Sequence, residues 1–384
     1  MSSTLKLRPR KASARTLRAG VEPVTITYGN GSAATQITYS DKVTGPSACL
    51  RCLDAPCMSY ASNELTLPGL NMFPADGTPD VCPTNALTWP PDAETGPSIE
   101  SDECIGCALC VARCPVGAIY VGSNGVALVS DAETPHIRDA RGASTVKNAQ
   151  DERKRFYGSK RRGSLVDDSD KAIEIVYQRI AKALAGKHPS FPALFSRNLL
   201  LEVGWNAAMR RRGDTNVRID IAAERNSRVC AVEVEFSEAV VDAPRNVLDD
   251  LAVLIARYKQ DKTTLNGLIV ALTLANQRSE YFQVIEDVEK VLGIRIGTVT
   301  VGALMLLMWN GKTLGENSSD LPHASAGAPS IRPDIERMLG RKLKLSTGLA
   351  SVLETPKLAA RDALANPSAA SRREPHSRGS TRSR

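Results

Sequence analysis

No apolar run in this 384-residue chain approaches the ~18 residues that a membrane-crossing helix needs, so a bilayer-spanning protein is not expected. The first twenty residues contain no acid and no apolar stretch of the sort a secretory signal requires. Their Ser/Arg-rich composition leaves an organellar transit peptide as the alternative. Aromatic residues amount to only 4%, although 42% hydrophobic content suffices for at least one core. The nine cysteines would suggest disulfides in a small secreted protein. Here their spacing points to metal instead, hence to a reducing, cytoplasmic compartment.

Charge is concentrated at the ends. Lys6, Arg8, Arg10, Lys11, Arg15 and Arg18 stand unopposed, and residues 366–384 carry five arginines against Glu374. Together these exceed the net charge of +7, so residues 21–365 are slightly acidic. Basic tails of this kind hold phosphates loosely or are simply solvated. The composition divides the chain into a basic disordered tail (1–20), a cysteine-bearing region (21–125), a polar basic linker (126–168), an α/β domain (169–315) and a second, mostly disordered basic tail (316–384) with a basic helix near 331–344. The run ERKRFYGSKRR (152–162) in the linker reads as a solvated tether, with a nucleic-acid contact as the alternative.

Cys104, Cys107, Cys110 and Cys114 follow one another at spacings x2, x2 and x3, with Pro115 after the last. An earlier group, Cys49, Cys52 and Cys57, is completed by Cys82 after a 24-residue insert, again followed by proline. CPTNALTW (82–89) and CPVGAIYV (114–121) repeat at a constant offset of 32, each leading into a strand-like segment. Four-thiolate zinc sites also use C-x2-C pairs, but zinc ribbons set two such pairs far apart. Residues 24–40 read as a β-hairpin, and Cys230 as a buried core residue.

The two cysteine groups resemble the two-[4Fe–4S] bacterial-type ferredoxins over residues ~40–125. In that family the fourth cysteine of each run serves the other cluster. The resemblance implies one cluster on Cys49, Cys52, Cys57 and Cys114 and a second on Cys104, Cys107, Cys110 and Cys82. The x4 gap and the long insert depart from the compact pattern.

Past residue 169 the periodicity alternates helix and strand. Helices are expected at 169–186, 194–205, 244–260 and 280–293, and strands at 217–224, 228–236, 265–273 and 294–301, which makes a mixed sheet covered by helices. A two-residue turn at Asn226-Ser227 pairs Arg225 with Arg228 and sets Asp220 opposite Glu233, with Glu235 one step along the same face. Such carboxylates repel across strands, and Mg²⁺ would relieve them. An exposed strand face also often alternates Val with Glu, so the E-x-E pattern by itself is weak.

The stretch RIDIAAERNSRVCAVEVEF, with RNVLDDLAVLIARYKQ and GLIVALT after it, resembles the catalytic core of type II restriction endonucleases over residues ~170–305. The family signature is an Asp on one strand and (D/E)-x-K on the next. The resemblance implies Asp220 and Glu233 as metal ligands and Glu235 in the lysine's place. It also implies an acid on the preceding helix, for which Glu202 is the candidate and Asn198 the alternative. Lys259 could supply a displaced ammonium, and Arg210, Arg211 and Arg212 could approach phosphate.

The combined expectation is an α+β chain, a ferredoxin-like dicluster domain followed by a restriction-endonuclease-like α/β domain. Its cofactors are two [4Fe–4S] clusters and Mg²⁺. Its partners are DNA, a redox protein and a second copy of itself, with no membrane. The alternative is an electron-transfer ferredoxin whose C-terminal domain is a non-catalytic docking or DNA-binding module.

Overall fold

The β-branched-rich stretches RVCAVEVE, LNGLIVA and IGTVT become three adjacent strands of a five-stranded sheet. The computed structural model describes the backbone of strands 4–6, 24–28 and 35–39. With side chains it describes residues 55–60, 64–89, 97–114, 118–122, 125–129, 165–166, 168–186, 189–277 and 279–355, the side chains of 238 and 239 excepted. Strands β1 Thr4–Lys6, β2 Val24–Tyr28 and β3 Thr35–Tyr39 form one small sheet, in which β2 and β3 are the expected antiparallel pair. The cysteine region holds β4 Leu87–Thr88, β5 Ser98–Ile99, helix α1 Leu109–Arg113, β6 Ile119–Val121 and β7 Ala127–Val129.

Helices α2 Ser169–Ala185 and α3 Phe191–Glu202 open the α/β domain. Strands β8 Asn206–Met209, β9 Ile221–Arg225 and β10 Arg228–Glu235 follow, then α4 Ala243–Ala256, β11 Leu265–Ala271, α5 Tyr281–Leu292, β12 Ile296–Thr300 and α6 Val301–Trp309. The sheet order is β12-β11-β10-β9-β8. Strands β8, β9 and β10 run antiparallel, joined by the loop 210–220 and the two-residue turn 226–227, while β10, β11 and β12 run parallel because α4 and α5 carry the chain back between them. The inner strand β11 is buried along nearly its whole length, as a parallel strand covered on both faces must be.

Helix α4 lays Val247, Leu251 and Leu254 on β10 and β11. Gly267 makes that approach possible, since an added Cβ would collide with Val247 Cγ1. Helix α3 packs on β8 and β10, and α6, apolar all round and wholly buried, packs against α2 and α3. One continuous apolar core runs from the cysteine region through the sheet to the C-terminal segment.

Three boundaries differ from the sequence expectation. Residues 316–355 are packed, with α7 Arg332–Leu339 and α8 Thr347–Leu353 burying Ile331, Ile335, Leu339, Leu349, Val352 and Leu353. The basic helix expected near 331–344 is α7, while the Ser/Pro/Ala-rich composition concealed α8 and the burial of the segment, which Asp170 of α2 holds by a bidentate pair with Arg341 at 2.7 and 3.0 Å. Residues 126–129 belong to the cysteine region through the β6–β7 pair, not to a linker. The strand β8 was not anticipated, because NAAM is too short and Ala-rich to show alternation. The tail 1–20 apart from β1, the linker 130–164 with its basic run, and residues 356–384 lie outside the described residues.

The insert between Cys57 and Cys82 has a structural task. Ala75 bridges to Arg210, Arg211 N donates to Pro74 O at 2.7 Å, and Asp76 N donates to Met209 O at 2.8 Å. Glu224, buried on β9, accepts from Thr66 N, Thr66 Oγ1, Leu67 N and Asn206 Nδ2. The insert thus runs along β8 and is fastened to the sheet by a carboxylate whose lone pairs are satisfied.

Candidate functional site

The run Cys104–Cys110 cannot be helical throughout, because Gly106 and Ala108 have φ of +74° and +64°. These left-handed residues curl the loop back before α1 begins. At Gly106 a side chain is excluded, since its Cβ would run into Gly125 O. The curl brings Cys104, Cys107 and Cys110 around one cavity with Cys82, which arrives from the preceding turn. The remaining wall is almost entirely apolar: Pro83, Ala86, Leu87, Ile99, Ile105 and Leu109 contribute to it. Burial pushes the Cys107 and Cys110 thiols far above their ordinary range, and the neighbouring cysteines add to the shift. Four thiols around one dry cavity cannot all ionise without cations among them, and this donor set is the one an iron–sulfur cluster takes.

The second group is seen in part. Cys57 and Cys114 are buried, and Cys57 lies within charge-interaction range of Cys110. Ala118 N donates to Cys114 Sγ at 3.1 Å, the type of bond that stabilises thiolate sulfur. Cys49 and Cys52 lie outside the described residues.

The α/β domain grips this cage directly. Trp309 Nε1, at the end of α6, donates to Cys107 O at 2.9 Å, and Arg179 Nη1 of α2 donates to Cys104 O at 2.7 Å. Arg113, between Cys110 and Cys114, is fully buried. It donates to Pro56 O at 2.6 Å and Ser59 O at 3.0 Å, lies over the Tyr60 ring at 3.8 Å, and pairs with Glu202 at 3.3 Å. Glu202, expected as the helix acid beside the strand carboxylates, is therefore engaged with Arg113 and Tyr60 at the junction of the two regions. Its alternative, Asn198, donates to Asp80 O and Val81 O in the same junction.

The hairpin register is the expected one. Arg228 pairs with Arg225 and Val232 with Ile221, so Asp220, one residue before β9, stands across from Glu233. Asp220 Oδ2 accepts from Val234 N at 3.1 Å, and Arg210 approaches its other oxygen only to 3.9 Å. Glu233 is buried and takes Asn246 Nδ2 of α4 at 2.8 Å. Glu235 turns to its own loop, where Ser237 N and Oγ donate to it at 2.8 and 2.6 Å. Lys259 donates to Ala256 O, and Arg210 Nη1 to Val217 O.

Sequence reasoning missed Asp250. It sits one turn after Asn246 on α4, 3% exposed, and its Oδ2 is sealed from solvent without a hydrogen-bond partner. The available signal was an acid inside the Val247–Leu251–Leu254 stripe. Burial pushes Glu233 up to about 7, with the charge of Asp220 adding to it. Burial likewise pushes Asp250 up to about 8, with Glu233 and Asp220 adding. Asp220 is raised by burial too, offset in part by Val234 N–H and Arg210. Among the described residues no three His, Cys, Asp or Glu side chains converge tightly enough to ligate one metal ion together.

Residues 79–118 match the family model of the 4Fe-4S dicluster domain, a stretch that contains Cys82, Cys104, Cys107, Cys110 and Cys114. The chain matches no curated protein and no solved structure. It is an iron–sulfur protein in which a dicluster region precedes an α/β domain with a five-stranded mixed sheet. No helix among the described residues is long and apolar enough to cross a membrane.

Proposed function

We propose that the α/β domain is a divalent-cation-dependent deoxyribonuclease of the restriction-endonuclease kind, built onto a two-cluster iron–sulfur module. The observation that carries this reading is the pair Asp220 and Glu233, set opposite each other by the β9–β10 register, with Glu233 buried and Asp220 partly so. The hydrogen-bond partner of Glu233 is a neutral amide, and no salt bridge to it is formed among the described residues, so its ionised form would gain from a bound cation. The order helix, three antiparallel strands, helix, parallel strand accords with the resemblance in the sequence. Asp220 and Glu233 would hold Mg²⁺, which is commonly bound through one or two carboxylates plus waters and phosphate oxygens. When bound, such an ion polarises a phosphodiester and lowers the pKa of its water. The chain's own contribution is to fix the two carboxylates, Glu233 through Asn246 and Asp220 through Val234 N–H.

A [4Fe–4S] cluster on Cys82, Cys104, Cys107 and Cys110 would hold the shared core in register, because the carbonyls of Cys107 and Cys104 are bonded by Trp309 and Arg179 of the α/β domain. Supercoiled plasmid should be converted to relaxed circles by anaerobically purified protein with Mg²⁺, not with chelator, and not by Glu233→Gln. Intact plasmid after prolonged incubation of cluster-loaded wild type would end this reading. One observation favours a non-cleaving DNA-binding module instead: Glu235 stands where the signature has lysine and is bonded to Ser237. Salt-dependent binding of DNA without nicking would select it.

A further inference from the structure

We infer that Asp250 is a third carboxylate of the cation site, acting from helix α4 on the waters that the cation carries. This rests on the reading of Asp220 and Glu233 given above. Helix α4 presents two residues to the same place, four apart and so on one face: Asn246, bonded to Glu233, and Asp250. A carboxylate this deeply buried is rarely left with an unbonded oxygen, because a sealed acceptor forfeits its water without replacement. Asp250 Oδ2 is such an acceptor, and the groups whose charges act on it most are Glu233 and Asp220. What the oxygen lacks is a donor, and what the crowded acids lack is positive charge.

A hydrated divalent cation on Asp220 and Glu233 supplies both. Mg²⁺ keeps several waters when protein-bound, and those waters are strong donors toward a neighbouring carboxylate. Glu235, which the strand pattern offered for the third place, is already bonded to Ser237.

The test is Mn²⁺ binding to the anaerobically purified, cluster-loaded chain, by calorimetry and by the loss of the free-ion EPR signal. Asp250→Asn, nearly isosteric, should weaken Mn²⁺ binding by about tenfold or more, as loss of outer-shell partners does. Asp250→Glu should recover most of it. Cluster absorbance and thermal melting report the fold independently, and Asp250→Ser replaces the Asn variant should that fail to fold.

If Asp250→Asn binds Mn²⁺ like wild type while Asp220→Asn and Glu233→Gln lose it, the inference falls and the cation site stands. A wild type that binds no Mn²⁺ overturns both. Weakened binding in Asp250→Asn by a chain that never nicks DNA supports the inference and removes the nuclease reading alone.

Discussion

The cysteine cage and the acidic hairpin pose the same electrostatic problem and are assembled in opposite ways. Each gathers like-charging groups in a place with little water, where they can all ionise only if cations join them. The cage takes three of its four thiols from seven consecutive residues, and left-handed turns at Gly106 and Ala108 aim them. Its wall is apolar, and its thiols have few polar neighbours. The acidic site draws Asp220, Glu233 and Asp250 from three elements, with amides and backbone N–H groups holding two of them. A site made by a loop is carried by covalent spacing, whereas one made by a sheet and a helix exists only once the sheet is paired.

This contrast predicts a graded set of failures. The largest should follow Cys107→Ala. Iron and sulfide would fall from about eight to about four of each per chain. The cooperative unfolding transition of the α/β domain would be lost with them, because both regions share one core. Full iron content would remove Cys107 from the ligand set, and an unchanged melting curve after cluster loss would show the two regions to be independent. Next is Arg113→Met, which leaves Glu202, with a side chain 6% exposed, buried beside an apolar group. A loss of about 3–5 kcal/mol is expected in denaturant titration, and Arg113→Met with Glu202→Met should regain most of it.

The acidic site should announce itself through pH. Glu233 and Asp250 bind protons more tightly folded than unfolded, their folded values of about 7 and about 8 lying above ordinary values of 4.5 and 3.8. Their contribution is therefore complete below the ordinary carboxylate range and is lost as pH rises through 7 and 8. Cation-free protein should weaken over that window, Asp250→Asn should flatten the decline by a few kcal/mol, and Mg²⁺ should restore the wild type. A flat profile would separate these acids from one another. The smallest effect is assigned to Trp309→Phe, which deprives Cys107 O of its donor. About 1–3 kcal/mol is expected, together with faster cluster bleaching in air.

What could be read from the sequence follows the same division. The cage was legible because its residues are near neighbours, and the repeat at offset 32 returned as β4 and β6. The hairpin register was legible because Asn226 accepts a left-handed conformation, φ +53°, which makes the tight turn that pairs Arg225 with Arg228. Asp250 was not, since nothing in α4 alone says which strand it faces. Glu202 looked like a site acid from its place at the end of α3, but its partner Arg113 is 89 residues away in the cysteine run. Of the C-terminal helices, α7 falls within the basic helix expected near 331–344, whereas α8 was hidden by composition and α6 by an apolar run with no period to read.

The insert that lengthens the first cysteine motif also bears on self-association. By lying against β8 and bonding to Met209 and Arg211, it occupies the rim of the sheet where another chain's strand would otherwise add. At the opposite rim, Thr298 N of β12 already donates to Pro322 O at 2.8 Å. Both rims of the five-stranded sheet are thus engaged by the chain's own segments, so strand addition by a second copy is disfavoured there, away from the acid-bearing hairpin at the sheet's centre.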